Sequence, residues 1–328
     1  MSNNVSWFPP PLIRQKAFYP GQVGVPGSDT TLGLRTDSNG VVFYVDPNHG
    51  AASDSNDGTD PDNPLLTVAQ ANTNARSYRN DTIAVMGNSA WQYGPGTPRG
   101  TAIAEEVAIT KHGVKLVGVF PSSSVGVPWE SQTIGTPCIT VNAIDVTIEG
   151  FAFVGGAAGG IAIYAEWDGV TLWGENVTVR HCVFDDDIDT GIQLEYSWFC
   201  DIHDNLFQEC DAYGIHAAVG GSGIAYCKIH HNKFLDCATA AIALLGGCDN
   251  NDVYSNVIFN TDAQNGAAAT NEGIDTTGGT TNSVYDNTIS CLLPVPANGD
   301  YNDLNTAAAT DAWANNHLMN GPSVTNPT

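Results

Sequence analysis

The chain has 328 residues, 42% of them hydrophobic, with 11 Lys+Arg against 35 Asp+Glu and a formal net charge of −24. Such a charge repels phosphate backbones, so no nucleic-acid partner is expected, and no apolar run approaches the ~18 residues of a membrane span. Residues 1–40 hold Arg14, Lys16 and Arg35 against Asp29 and Asp37, so this stretch is +1 and the remainder carries −25.

The start, Met1 to Ser6, has neither the basic region nor the apolar core of a signal peptide, which points to use without classical secretion. Residues 1–40 then read as an extended arm, partly polyproline, without periodicity or a core of its own. It carries Trp7, Phe8, Pro9, Pro10, Leu12, Ile13, Phe18 and Tyr19. These side chains suit docking against the body or a neighbouring subunit, with Trp7, Phe8 and Leu12 as anchors.

Next come Val41-Val-Phe-Tyr44-Val45-Asp46-Pro47, Asp54-Ser-Asn-Asp57-Gly58-Thr59 and Asn63-Pro64-Leu-Leu-Thr67-Val-Ala-Gln70-Ala71. The physical reading is a strand, a turn-rich loop and a short helix capped by a Thr67/Gln70 capping box. This order resembles the opening segment of pectate-lyase-like right-handed β-helix proteins, and the resemblance implies that the helix caps the open end of a solenoid. A cap is needed because a terminal coil exposes its backbone edge and its core.

Asp81–Val85, Glu106–Ile109, Gly113–Gly118 and Cys138–Val141 read as early coils. A repeat then becomes plain. Ile148, Val179, Ile202, Ile229, Val253 and Val284 open similar hexapeptides at steps of 31, 23, 27, 24 and 31 residues. Between them Gly160-Ile161, Gly191-Ile192, Gly214-Ile215, Ala241-Ile242 and Gly273-Ile274 step by 31, 23, 27 and 32. Units of this length, short and β-branched, fit coils of a parallel β-helix stacked ~4.8 Å apart. From Ile202 to Phe207 strict alternation would put the two side chains on opposite faces, so one residue between them must leave the β conformation. Asn205, Asn232, Asn256 and Asn287 occupy this corner, and Asn tolerates the left-handed region best among non-glycine residues. The column is expected to bond along the stack.

The predicted fold is therefore all-β: a right-handed parallel β-helix (solenoid) with a short N-terminal capping helix and an extended N-terminal arm. The divisions are 1–40 arm, 41–290 β-helix with its cap, and 291–328 C-terminal cap or tail, where the repeat is lost. Cys200 with Cys227, and Cys210 with Cys237, fall at equivalent places on neighbouring coils and read as buried reduced thiols.

Carboxylates supply the candidate chemistry. Asp185, Asp187 and Asp189 follow one corner, and Asp211 follows the next, with His216 near; adjacent coils would bring such acids to ~5 Å and alternate coils to ~10 Å, near the spacings of retaining and inverting glycosidases. Asp187-Ile-Asp189-Thr-Gly191 resembles part of a polygalacturonase motif, but that family's His-Gly pair and Arg-Ile-Lys cation are absent. Only Arg180, Lys228 and Lys233 are basic from residue 116 onward, too few to hold a uronate. The plainer reading makes the acids solvated corner residues, with weak calcium binding their only cofactor role. No catalytic set is favoured. His203 and His230 share an outer column with Glu149, Arg180, Tyr254 and Tyr285 and are read as a stack without a metal.

The resemblance covers about residues 41–290 and is specific for fold, since the same scaffold serves lyases, hydrolases and virion proteins. With the arm it implies a structural virion component: a capsid decoration (cement) protein, as a homotrimer on the major capsid protein, ahead of a tail spike, a head fibre or a polysaccharide-degrading enzyme on a surface glycan.

Overall fold

The computed structural model of the chain describes residues 40–87, 102–120, 126–130, 132–154, 160–167, 174–185, 188–217, 223–260, 272–276, 279–291 and 310–318. The expected arm, with Trp7, Phe8, Pro9, Pro10, Leu12, Ile13, Phe18 and Tyr19, lies outside the described residues. Short strands form three sheets. The first runs through ten strands from Val42–Val45 to Ala312–Ala314, the second through eight from Val127–Glu130 to His317–Leu318, and the third through seven from Val107–Ile109 to Glu272–Asp275. Neighbours are parallel, and each full coil gives one strand to each sheet. This is a parallel β-helix. Among the described residues no helix is long and apolar enough to cross a membrane.

The first sheet holds Ile148, Val179, Ile202, Ile229, Val253 and Val284 in one inward column, as the repeat requires. The column also extends at both ends, to Leu116 and Trp313. The repeat thus carries on past Cys291, because Ala312–Ala314 and His317–Leu318 add a further strand to two of the sheets. A Trp in the place of Val or Ile concealed it.

On the second sheet Phe153, Phe184, Phe207 and Phe234 are fully buried and stack ring on ring, with centroids 5.2, 4.5 and 4.6 Å apart. The separation follows the strand spacing. Truncating one ring to Ala costs about 3–5 kcal/mol. This stack also explains two glycines of the Gly-Ile marker: a Cβ on Gly191 would meet the Phe207 ring at 2.7 Å, and one on Gly214 the Phe234 ring at 2.6 Å. In the next coil Ala241 occupies the same place, where the second sheet has Ile258 instead of Phe.

The helix Val68–Asn74 buries Val68, Ala71 and Asn72. Thr67 Oγ1 accepts from the Gln70 backbone N–H at 3.1 Å, one half of the capping box. The other half is supplied differently. Asp54 accepts the Thr67 N–H at 2.9 Å, Glu105 accepts those of Val68 and Ala69 at 2.9 and 2.7 Å, and the Gln70 side chain turns to Asn74. Two carboxylates therefore meet the positive end of this helix.

At the corner between the first and second sheets the left-handed residue is the one before each Asn: Asp204 (φ 57°), His231 (56°), Ser255 (54°) and Asp286 (56°). Asn205, Asn232, Asn256 and Asn287 instead point inward, buried, and bond to one another through Nδ2–Oδ1 contacts of 3.0, 3.1 and 3.0 Å, continued to Asn316 at 2.9 Å. The corner needs a buried donor and acceptor, and this requirement selects Asn. A shorter ladder stands at the corner between the third and first sheets. There Cys227 Sγ accepts from the Cys200 N–H at 3.3 Å, and Asn251 and Asn282 continue the column. Among the described residues Cys138, Cys182, Cys200, Cys210, Cys227, Cys237 and Cys248 are buried free thiols.

Candidate functional site on the outer face of the third sheet

The carboxylates read from the sequence occupy different settings. Asp185 is buried at the end of Val183–Phe184, its N–H bonded to Phe153 O at 2.9 Å. Asp189 is half-buried on Ile188–Leu194, and Asp211 is exposed in the turn before Tyr213–Ala217, where His216 is half-buried. Asp187 lies outside the described residues. Burial pushes the His216 imidazole below its ordinary value, and the negative charges of Glu195 and Asp189 oppose that shift. The His216 ring stacks on Tyr213 at 4.3 Å and 8°, and among the described residues its buried Nε2 finds no hydrogen-bond partner.

Two neighbouring coils assemble a denser cluster beside it. In the register, Ile163 pairs with Ile192, Tyr164 with Gln193 and Ala165 with Leu194. Ile163, Ala165, Ile192 and Leu194 are buried, so alternation turns Tyr164, Glu166, Gln193 and Glu195 outward. Glu166 and Glu195 then sit one coil apart, ~4.8 Å along the stack. Each is fixed by backbone bonds, from Glu166 N to Val141 O at 3.2 Å and from Glu195 N to Ala165 O at 2.8 Å. Ser197, fully buried, ties the turn after Glu195 to the previous coil through its hydroxyl, which donates to Ala165 O at 3.1 Å.

Tyr164 is the centre of the cluster. Burial, reinforced by the neighbouring Glu195 and Glu166 anions, pushes its phenol well above its ordinary value. The Gln193 amide donates to Glu195 Oε1 at 3.0 Å, and that of Asn142 donates to Glu166 Oε1 at 3.5 Å. The next residue on each coil is aromatic, and Trp167 and Tyr196 meet edge to face at 5.4 Å. Two carboxylates, a phenol and an imidazole thus share one solvent-facing strip bordered by rings. Among the described residues no group of three or more His, Cys, Asp or Glu is placed to hold a metal ion.

The sequence reading missed Tyr164, Glu166, Gln193 and Glu195 for a definite reason. It set Gly160-Ile161 against Gly191-Ile192, whereas the structure sets Ile161 against Thr190 and Ile163 against Ile192, with an irregularity between Ile188 and Thr190. A slip of two preserves inward and outward parity and so goes unnoticed. In the true register Tyr164-Ala-Glu166-Trp167 stands over Gln193-Leu-Glu195-Tyr196, and the matching acid and aromatic positions are legible.

Elsewhere, the outer column of the first sheet forms as expected. His203 and His230 stack at 5.0 Å and 2°, followed by Tyr254 at 4.7 Å and Tyr285 at 5.1 Å, and Arg180 pairs with Glu149 at 2.6 Å.

A family model described as the right handed beta helix region matches residues 145–258. No curated protein matches the chain. Among solved structures, the chain is similar to the enzymatically active domain of tailspike protein 2 of bacteriophage CBA120, at 13% identity and a TM-score of 0.48, over 87% of this chain and 46% of that one. It is similar to a rhamnogalacturonan lyase at 13% and 0.45, over 77% and 69%, and to a lacto-N-biosidase from Eubacterium ramulus at 9% and 0.45, over 85% and 68%. This chain spans less than half of the tailspike domain. Phage tailspikes and glycan-active enzymes are thus among its structural neighbours, and at these identities the likeness is one of fold. The chain is a right-handed parallel β-helix.

Proposed function

We propose that the chain binds a glycan across the outer face of the third sheet and hydrolyses it at the Glu166–Glu195 pair. The observation that carries this reading is the register that stacks Glu166 and Glu195 one coil apart beside Tyr164, on a strip edged by Trp167, Tyr196 and Tyr213. Their ~4.8 Å step is close to the ~5–5.5 Å between the two carboxyl groups of retaining glycosidases.

The roles follow from the hydrogen bonds. Gln193 aims its N–H at Glu195 at 3.0 Å, an arrangement that suits an anion, whereas Asn142 meets Glu166 at the long distance of 3.5 Å. Glu195 is accordingly the nucleophile, attacking the anomeric carbon, and Glu166 the acid, giving its proton to the leaving oxygen as the glycosidic C–O bond breaks. Water, deprotonated by Glu166, then attacks the same carbon and releases Glu195. Incubation with a panel of polysaccharides should release reducing ends, and Glu166→Gln or Glu195→Gln should lower the rate ~10²–10⁴-fold. Unchanged turnover in both variants, or none in the unaltered protein, rejects the reading.

A second reading is favoured by the aromatic, proline-rich arm of residues 1–40, which carries +1 against −25 in the body. As a clamp it suits a virion component, a decoration protein on the shell or a trimeric spike. Counting copies per purified particle by quantitative mass spectrometry separates these: hundreds fit a shell protein, a handful a spike, and absence removes the virion reading.

A further inference from the structure

The corner that joins the third sheet to the first repeats one backbone conformation in six coils. Asp145, Asn176, Phe199, Tyr226, Asn250 and Thr281 all have φ between 50° and 62°. Parallel bridges between the residues preceding the last four, Trp198, Ala225, Asp249 and Thr280, show that these form one column. Asp and Asn suit such a position; a β-branched Thr or a bulky aromatic in the left-handed region is an outlier of the kind that clusters at functional sites. Yet two successive coils place aromatics there, and they are turned to solvent. Phe199 is 54% exposed and Tyr226 57%, their rings stack at 5.4 Å and 13°, and Trp198 beside them is 41% exposed.

The short polar side chains on either side, Asn176 and Asn250, leave the outer faces of this ring pair uncovered by their own column. The patch is also continuous with the strip described above. Glu195, Tyr196, Trp198 and Phe199 follow one another along a single turn of coil, and Tyr196 meets Trp167 of the coil below. A chain lying along the Glu166–Glu195 boundary and following the coil direction would pass Trp167 and Tyr196 and arrive beside Phe199, over Asn176.

We infer that Trp198, Phe199 and Tyr226 form a docking edge for an uncharged saccharide chain running on from the Glu166–Glu195 pair, an inference that rests on the glycan reading of that pair. The occupant follows from chemistry. Sugar rings present C–H faces to aromatic rings and hydroxyls to flanking amides and hydroxyls, here Asn176, Asn250 and Thr281. A polyanionic glycan would meet a body of −25 with Asp145 and Asp249 close by.

The test uses Phe199→Asn with Tyr226→Asn, which restore the residue type the same column carries at 176 and 250 and relieve the left-handed strain. Folding should therefore be retained, with Tm unchanged or higher. Isothermal titration is run with hexasaccharides of cellulose, mannan, chitin and galactan, and with oligogalacturonate as the charged contrast. The expected result is binding of at least one neutral hexasaccharide and a tenfold or greater loss in the double variant, with oligogalacturonate the weakest ligand. Equal affinity in the double variant, preference for oligogalacturonate, or no binding of any neutral hexasaccharide overturns it. So does light scattering in which the unaltered chain is oligomeric and the variant monomeric, because the edge would then join copies of the chain. The two readings fail separately: binding through the edge without cleavage rejects the carboxylate assignment alone, and cleavage with an unaffected double variant rejects the edge alone.

Discussion

Asn232 Nδ2 donates to Asn256 Oδ1 at 3.1 Å, and the same nitrogen donates to Ile202 O at 2.9 Å. Its Oδ1 accepts from Asn205 twice, from the backbone N–H at 3.1 Å and from Nδ2 at 3.0 Å. One buried amide therefore uses all its capacity on its two neighbouring coils.

Asn232→Ala should be severely destabilising. It leaves the Asn205 N–H and the Ile202 carbonyl buried without these partners, and each orphaned group costs about 1–3 kcal/mol. A loss of about 3–5 kcal/mol in chemical denaturation is expected; a loss under about 1 kcal/mol would mean that the ladder contributes little.

Glycine positions that look alike in sequence should respond differently. Gly214→Ala drives a methyl into the Phe234 ring at 2.6 Å and Ala241 O at 2.7 Å, whereas Gly273→Ala meets Ile289 at an ordinary 3.4 Å. The first should cost about 1–3 kcal/mol through overpacking and the second well under 1 kcal/mol. Comparing the two midpoints in one denaturant decides it, and equal effects count against the packing account.

The thiols should be silent until the chain opens. Burial pushes Cys138 and Cys182 up to about 12 and Cys248 to about 11; Cys227 is raised by burial beside Cys200, and Cys210 by its bond with Cys237 and by burial. Thiolate is the reactive form. Alkylation at pH 8 followed by mass spectrometry should leave these five cysteines unlabelled in the folded protein and modify all of them in denaturant. Labelling of any one in the folded state contradicts its described burial.

Acidification should weaken the fold over the imidazole range. Burial holds His181, His216 and His230 below the usual value, against the pull of Asp204 and Glu149 on the first, Glu195 and Asp189 on the second, and Asp201 on the third. Below about pH 6.5 the unfolded chain takes up protons that the folded one resists, so stability is intact above that pH and falls as pH falls. Tm measured from pH 8 to pH 5 should decline, and the decline should be shallower in His230→Gln. A flat profile would show that these imidazoles titrate normally.

Most of the architecture was legible because a coil repeats the same physical demand. An inward β-branched residue, a Phe on the next strand and an Asn at the corner each announce themselves at irregular but shared steps, and the outer His203–His230 pairing follows from their equal positions. What was hidden depended on relations a pattern does not encode. Any of Asp204, His231, Ser255 or Asp286 can take the left-handed turn, so residue type did not reveal which one does. Trp313 disguised a coil by exceeding the usual size. Glu166 and Glu195 were separated on paper by a two-residue slip that changes no hydrophobic alternation.

The Asn column has a direction. From Asn205 through Asn232 and Asn256 to Asn287, each side chain offers one amide hydrogen to the Asn oxygen of the following coil, and the run ends on the oxygen of Asn316. A duplicated coil spliced between any two of these would find a donor waiting below and an acceptor above, and neither neighbour would need to alter a residue. Length is thus an inheritable variable that changes in whole coils, and a surface strip on such a scaffold can be lengthened by copying before it is refined by substitution.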